Sequence, residues 1–381
     1  MSYRYEIHHD MACLSGLPDN WDALSRGNPF RQRAWLGTWW NHYGEGSEPF
    51  LVLAKNDAGE VRGLLPLYRV HQSAKGRLLR AFGDQCACTD YFSVLAREPE
   101  SIEISAGIGT LLAQVAQDTR HGWEWCELQG VVEGDRPTLV LTQHLADAGA
   151  SVHARSRMHT WFARCQGDWD QHLAAQSKRT RRRLKDYLKK IDEDPDLLAT
   201  VQHDPSDVDW QDTLSELIRL HQVRWSDQGQ YGSFASPEFC DYFHAAADTF
   251  MQRGQLLLAS LRRRGKVVAA NVYFAGTDDR LYCYSSGNDL ESDDLQPGNL
   301  LTAWMTRYAH QRCLAGIDYM RGDEDYKQRL KADSRRLLHL EIASPTWTSR
   351  LLFTAWSLSF EAKQAVRRHS GRLPFEVLEI T

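Results

Sequence analysis

Apolar residues fall in short blocks from Leu256 onward. Leu256-Leu257-Leu258-Ala259-Ser260-Leu261 is followed by a basic turn, Arg262–Lys266, and by Val267-Val268-Ala269-Ala270-Asn271-Val272-Tyr273-Phe274-Ala275. Two β-type runs split by a short polar turn predict a hairpin. Arg280-Leu281-Tyr282-Cys283-Tyr284-Ser285 predicts a third strand after a turn at Gly276–Asp279. The apolar spacing then changes from strand to helix. Gln296-Pro297-Gly298-Asn299 opens a helical run from Leu300 to Cys313, and a final strand, Ile317-Asp318-Tyr319-Met320-Arg321, runs into Gly322-Asp323-Glu324-Asp325-Tyr326-Lys327.

The same order of element types occurs earlier. Phe50–Lys55 and Val61–Val70 flank Asn56-Asp57-Ala58-Gly59-Glu60, a turn of the kind that reverses a hairpin. Leu78–Leu95 supplies irregular strand material, Ile104–Thr119 a helix and Trp123–Leu128 a strand. Order rather than residue identity supports a duplication, and a long-period repeat changes the fold expected. Asp19–Leu24, Gln32–Tyr43, Thr138–Gly149, Asp212–Trp225, Phe239–Arg253 and Trp347–Arg368 read as further helices, and Ser156–Cys165 as a strand opening the second half. The expected fold is α/β in the layered α+β sense. Two tandem halves, 1–150 and 151–345, each form a mixed, mostly antiparallel sheet flanked by helices, and 346–381 forms a helix and tail.

A chain of 381 residues suits two domains, and 42% hydrophobic with 25% charged residues is ordinary for a globular protein. Fifty acids against 45 bases give a net charge of −5. That argues against a DNA-binding protein held by charge. No charge-free run reaches the roughly 18 residues of a membrane span. Met1–Glu6 lacks the apolar core of a signal peptide, so a cytoplasmic location is expected. Among eight Cys the one close pair is Cys86-Ala87-Cys88, tighter than the usual spacing of zinc ligands. Free thiols and no metal are expected.

Ser177–Lys190 holds eight bases and one acid, with Leu184, Tyr187, Leu188 and Ile191 at helical spacing. This is an amphipathic helix with a basic face, either solvated or attractive to phosphate and acidic substrates. In the late helix, Leu351, Leu352, Ala355, Leu358 and Phe360 precede Lys363, Arg367 and Arg368. One apolar stripe is what any covering helix carries; peripheral contact with a membrane is the other reading.

Three features carry chemistry. Pro297-Gly298-Asn299-Leu300 starts a helix, where unpaired N–H groups and a residue without a side chain suit a pyrophosphate. Asp318, Arg321, Asp323, Glu324, Asp325 and Lys327 crowd the end of one strand, the place where α/β folds put chemistry. There a carboxylate (Asp318 or Glu324) can take a proton from an acceptor, and Tyr326 can return one to a leaving thiolate. His221-Gln222-Val223-Arg224-Trp225 offers His221 as a base or as a helix-face histidine beside Leu214 and Leu217. No Gly-x-Gly-x-x-Gly, no Gly-Lys-Ser/Thr phosphate loop, no His-Glu-x-x-His and no Gly-x-Ser-x-Gly elbow is present.

The C-terminal half resembles the acetyltransferase domain of CelD-like and BioF2-like proteins in the GNAT superfamily, which are related to the FemAB peptidyltransferases with their two GNAT-like halves. The resemblance rests on Trp225 with Gly229, Gly254–Leu258, Val268-Ala269-Ala270, Tyr284, Pro297–Leu301 and Asp318–Lys327, and on Phe30, Trp35, Trp39 and Gly63–Leu67 in the first half. It implies acyl transfer from acyl-CoA, with acetyl-CoA the expected donor, to an amine or hydroxyl of a small molecule, glycan or peptide, in polysaccharide or cell-envelope biosynthesis. Pro297, Gly298, Asn299 and Leu300 would hold the donor. Arg224, Trp225, Tyr284, Arg321 and Lys327 would bind substrate, and Asp318, Glu324 and Tyr326 would carry catalysis. The usual Gln/Arg-x-x-Gly-x-Gly/Ala loop is missing, so Gln296–Leu301 must stand in for it. The helical arm of some FemAB-type enzymes has no counterpart, although Asp170–Asp192 occupies a comparable place. Two alternatives follow: a FemAB-like enzyme using aminoacyl-tRNA, the one role for nucleic acid, with Lys178–Lys190 as its contact, and a non-catalytic scaffold in envelope assembly.

Overall fold

A computed structural model describes residues 2–14, 18–84, 87, 89–369 and 376–378. The tight pair Cys86 and Cys88 lies outside the described residues. The first repeat contains β1 (Arg4–His8), α1 (Pro18–Leu24), α2 (Arg33–Tyr43), β2 (Glu48–Lys55), β3 (Val61–Gln72), β4 (Gly76–Ala81), the short β5 (Leu95–Ala96), α3 (Ser101–Gln114), β6 (Trp125–Val132), α4 (Arg136–Asp147) and β7 (Ser151–Arg164). After α5 (Trp169–Ala175) and α6 (Lys178–Glu193), the second repeat follows. It contains β8 (Leu197–Gln202), α7 (Trp210–Asp227), α8 (Pro237–Gln252), β9 (Leu256–Arg263), β10 (Lys266–Ala275), β11 (Arg280–Asn288), α9 (Pro297–Gln311), β12 (Gly316–Arg321), α10 (Asp325–Arg329) and β13 (Asp333–Ala343). The 23-residue α11 (Trp347–His369) and β14 (Glu376–Leu378) close the described chain.

The mixed, mostly antiparallel sheets flanked by helices match the expected fold class. Local chemistry sets the boundaries. Asn56 Oδ1 accepts the N–H groups of Ala58 and Glu60 and, with Gly59 at φ +80°, turns β2 into β3. Asp135 caps α4 through the Thr138 N–H, and Ser236 caps α8 through Phe239.

The described residues of Met1–His159 and Arg335–Thr381 form one compact unit, and Thr160–Ser334 form another. In the first, strands run in the order β1-β2-β3-β4-β6-β13. Ile104, Ile108 and Leu112 of α3 and Leu141 and Leu145 of α4 bury against Val52, Leu65, Leu79 and Leu128. In the second the order is β12-β11-β10-β9-β8. Leu300, Leu301 and Met305 of α9 bury against Leu257, Tyr273 and Ile317. Phe243 and Phe250 of α8 meet Phe274, the next residue along β10, so α8 covers the opposite face.

The sequence bounds 1–150, 151–345 and 346–381 put β7 at the opening of the second half, whereas by element order it ends the first repeat; the units follow the sheets. β13 comes after the second repeat yet pairs with β6, from Leu337↔Val132 to Ala343↔Trp125. The later residues of β7, which ends the first repeat, pair with β12 at Thr160↔Arg321, Phe162↔Asp318 and Ala163↔Ile317. The two repeats therefore exchange their last strands. A polypeptide of residues 1–150 leaves β6 without a neighbour on one side. It is expected to show no cooperative melting transition alone, and to gain one when 151–381 is supplied in trans, as read by circular dichroism.

Candidate functional site

β11 and β12 lie parallel for three residue pairs only, Arg280↔Gly316, Leu281↔Ile317 and Tyr282↔Asp318. Past Tyr282 they part. β11 stays with β10, where a bulge between Val272 and Tyr273 shifts the register from Val272↔Ser285 to Tyr273↔Cys283. β12 stays with β7, with Met320 at φ 52°. A pocket of about 460 Å³ fills the resulting wedge. It is lined by Asn271 of β10, Cys283, Ser286 and Asn288 of β11, Tyr319 of β12, Tyr326 and Arg329 of α10, Arg224 of α7, and the start of α9 from Gln296 to Asn299 with Thr302. Ligand sites beyond the carboxyl ends of parallel strands are a general property of such folds.

At the helix start, Gln296 adopts a left-handed conformation (φ 53°, ψ 53°) and Pro297 occupies the first turn. The Asn299 and Leu300 N–H groups both donate to the Gln296 carbonyl, at 3.0 and 3.2 Å. That leaves the Gly298 N–H as the first-turn donor without a backbone acceptor. The Leu300 side chain is fully buried in the core, so its part is structural packing. A Cβ on residue 298 would sit 2.6 Å from Asn288 Oδ1, a buried oxygen with no hydrogen-bond partner. Gly298 therefore lets strand and helix approach closely. Arg224 and Arg329 supply positive charge and ion-pair with no described acid. The one acid in the lining, Asp289, is held by Lys266 at 3.0 Å.

Tyr326 lies on α10, edge-on to Tyr319 at 5.8 Å. Its hydroxyl bonds to no described protein atom. Burial, then the neighbouring Cys283, Tyr319 and Glu324, push its pKa well above the usual tyrosine value, so it keeps its proton. Burial likewise pushes the Cys283 thiol up to about 12.

The other expected residues lie elsewhere. Ile317 and Tyr319 face the α9 core, and strand alternation turns Asp318 the other way. Asp318 is 2% exposed and accepts the Met320 N–H at 2.8 Å. Glu324 is exposed at the start of α10 and pairs with Lys327 at 2.9 Å. Lys327 is buried and donates to the carbonyls of Arg321 (2.7 Å) and Gly322 (3.2 Å), clamping the strand exit. Arg321 pairs with Thr160 across the β12–β7 ladder, outside the lining. Trp225 donates to His221 at 2.8 Å, which gives His221 its partner, and burial pushes His221 down. Tyr284 stacks on Phe243. Pro297, Gly298, Asn299, Arg224 and Tyr326 thus meet at the wedge, while Leu300, Asp318, Glu324, Arg321, Lys327, Trp225 and Tyr284 stand outside its lining. Lys327→Met should leave two carbonyls without their donor, costing about 1–3 kcal/mol in chemical denaturation. A residue that merely bound substrate would change KM instead.

A second pocket of about 370 Å³ shares Tyr319 and Arg329 with the first and adds Arg164, His172, Gln176, Thr180, Leu184 and Lys331. Burial, then His310 and Lys331, push His172 down to about 4, which keeps it neutral at pH 7. α6 reaches this region docked on α9: Arg307 grips Asp192 with two bonds of 2.7 and 2.8 Å, and Tyr187 donates to Gln296 at 2.7 Å. On its outer side Lys178, Arg179, Arg183, Lys185 and Lys190 are exposed and pair with no described acid.

The first unit repeats the motif and closes it. β4 and β6 are parallel over Leu78↔Trp125, Leu79↔Cys126 and Arg80↔Glu127. Past that point the chain's own Thr89–Phe92 fills the gap. Phe92 bridges to Val131 and its N–H bonds the Gly130 carbonyl at 3.0 Å, while Thr89 is bonded by Trp35. Among the described residues no group of three or more His, Cys, Asp or Glu is placed to hold a metal, and no helix is long and apolar enough to cross a membrane.

Residues 178–328 match the acetyltransferase (GNAT) domain family. No curated protein matches the chain in sequence. Among solved structures, FemX aligns with 89% of this chain and 97% of its own at 13% identity and a TM-score of 0.59. The C-terminal domain of a putative lysylphosphatidylglycerol synthetase from Agrobacterium fabrum aligns over 92% and 97%, at 12% identity and a TM-score of 0.54. The L-PGS structure from Bacillus licheniformis aligns over 89% and 94%, at 10% identity and a TM-score of 0.51. The fold is thus a FemAB-related GNAT fold.

Proposed function

We propose that the wedge binds an acyl-CoA, acetyl-CoA in the first instance, and that the protein transfers the acyl group directly to an amine or hydroxyl. The observation that carries this reading is the parting of β11 from β12 beside a helix start with a free Gly298 N–H. Separated strand edges leave N–H and C=O groups that must find partners, and the two amides of a pantetheine arm supply them. Its phosphates would meet the Gly298 N–H and the helix dipole, with Arg224 and Arg329 as counter-charges.

The acceptor nitrogen or oxygen attacks the thioester carbonyl, the carbon–sulfur bond breaks, and the thiolate takes the Tyr326 proton. The acceptor's proton goes to solvent or to a carboxylate; Asp318 is buried, and Glu324, exposed two residues before Tyr326, is the carboxylate nearer in sequence to the wedge although it lies outside the lining and pairs with Lys327. The second pocket, which meets the wedge at Tyr319, is the place for the acceptor: a small molecule, glycan or peptide. Incubation with acetyl-CoA and a panel of amines and amino sugars, followed by thiol release, tests the assignment. The absence of both turnover and thermal stabilisation at millimolar donor would sink it.

The unpaired cations of α6 favour one second reading, an aminoacyl-tRNA donor. It requires tRNA binding whose logarithm falls steeply with the logarithm of salt concentration; salt-insensitive or absent binding removes it.

A further inference from the structure

Of the large apolar side chains strongly exposed in the described chain, half lie on one helix: Trp347 (75% exposed), Leu351 (64%), Leu352 (47%), Leu358 (69%) and Val366 (67%), all on α11. That helix is already docked. Thr346 Oγ1 caps it through the Ser349 N–H at 3.2 Å. Phe353 and Trp356 pack on Leu78, Trp125 and Ala343, and Phe360 and Gln364 are buried below them. At about 100° per residue the buried residues share one side, and Trp347, Leu351, Leu358 and Val366 share the opposite side with Ala355 and Ala362. A covering helix needs one apolar face; this one has two, and the outer one carries no charge.

We propose that the outer face of α11 lies on an anionic lipid surface. Charge decides between occupants. The segment Trp347–His369 holds Arg350, Lys363, Arg367 and Arg368 against the single acid Glu361, in a chain whose net charge is −5. Arg350 and Lys363 fall on the two borders of the outer stripe by the same helical count, with the one acid, Glu361, on the Arg350 border. Basic borders beside Trp and Leu are the pattern of a helix lying in the plane of a bilayer interface. A second copy of the helix would bring two net-basic segments together, whereas phosphate head groups neutralise the excess.

Flotation of the full chain with vesicles tests this. Binding is expected to vesicles rich in phosphatidylglycerol and not to phosphatidylcholine alone, and should weaken with salt. Leu351→Glu with Leu358→Glu should reduce partitioning by at least about tenfold with no change in melting temperature, since both side chains are exposed. Absence of binding to anionic vesicles, or binding that the double variant leaves intact, would overturn the proposal. So would a dimer in light scattering that the double variant dissolves, because a second copy would then own the stripe.

Discussion

Gly298→Asp is expected to abolish the thermal stabilisation that acetyl-CoA confers. A ligand at a hundredfold excess over its Kd stabilises the folded state by about 2.7 kcal/mol, a shift of several degrees in a chain of this size. The variant removes it twice over. Its Cβ meets Asn288 Oδ1 at 2.6 Å, so the Asn288 amide in the wedge lining must shift. Its carboxylate then stands where the phosphates belong. The apo protein should survive, because an acid in the first turn of a helix is worth about 0.3–1 kcal/mol in its favour, offsetting the crowding. Gly298→Ala separates the two effects: it keeps the crowding without the charge and should weaken the donor rather than eliminate it. An unchanged thermal shift in Gly298→Asp would place the donor elsewhere.

Tyr326→Phe is expected to lower kcat by about a hundredfold, near the lower end of what a general acid contributes, and to leave the KM for acetyl-CoA nearly unchanged. The phenyl ring keeps its contact with Tyr319, and the hydroxyl bonds to no described residue, so stability should hold. An ordinary thiol has a pKa near 8.5, and the Tyr326 hydroxyl is pushed well above the tyrosine range, so it remains protonated wherever the thiolate needs a proton. The variant should therefore lose rate at neutral pH and recover part of it at low pH, where solvent protonates the leaving thiolate. Equal kcat in the two proteins, measured by thiol release, would remove Tyr326 from the chemistry.

Much of this was legible in the residues. The apolar blocks Leu256–Leu261 and Val267–Ala275 are β9 and β10, and Pro297-Gly298 does start α9. The duplication was readable as an order of elements because periodicity reports local structure faithfully. What periodicity leaves open is partnership: Leu337–Ala343 carries nothing that names β6 as its neighbour. Asp325–Lys327 read as a charged strand end, but they form the start of α10, just after Glu324 at its N-cap, and the turn brings Tyr326 and Arg329, three apart, to one helix side. The place of Asp318 follows from alternation: with Ile317 and Tyr319 on the core face, it belongs to the other. Asn271, Cys283, Ser286 and Asn288 had a faint signal, polar or thiol positions inside otherwise apolar strands. Lys327 had none, since a buried ammonium holding carbonyls looks in sequence like any surface lysine.

The exchange of last strands sets a timetable for biosynthesis. β6 ends at Val132, and β13, its partner, is complete only at Ala343. Those roughly 200 residues emerge at about 5–20 residues per second, so a growing chain carries a bare, apolar edge for some 10–40 seconds. Such an edge invites pairing with other nascent chains. Slow ribosomes or scarce chaperones should therefore penalise soluble yield more than lost contacts in the finished molecule do.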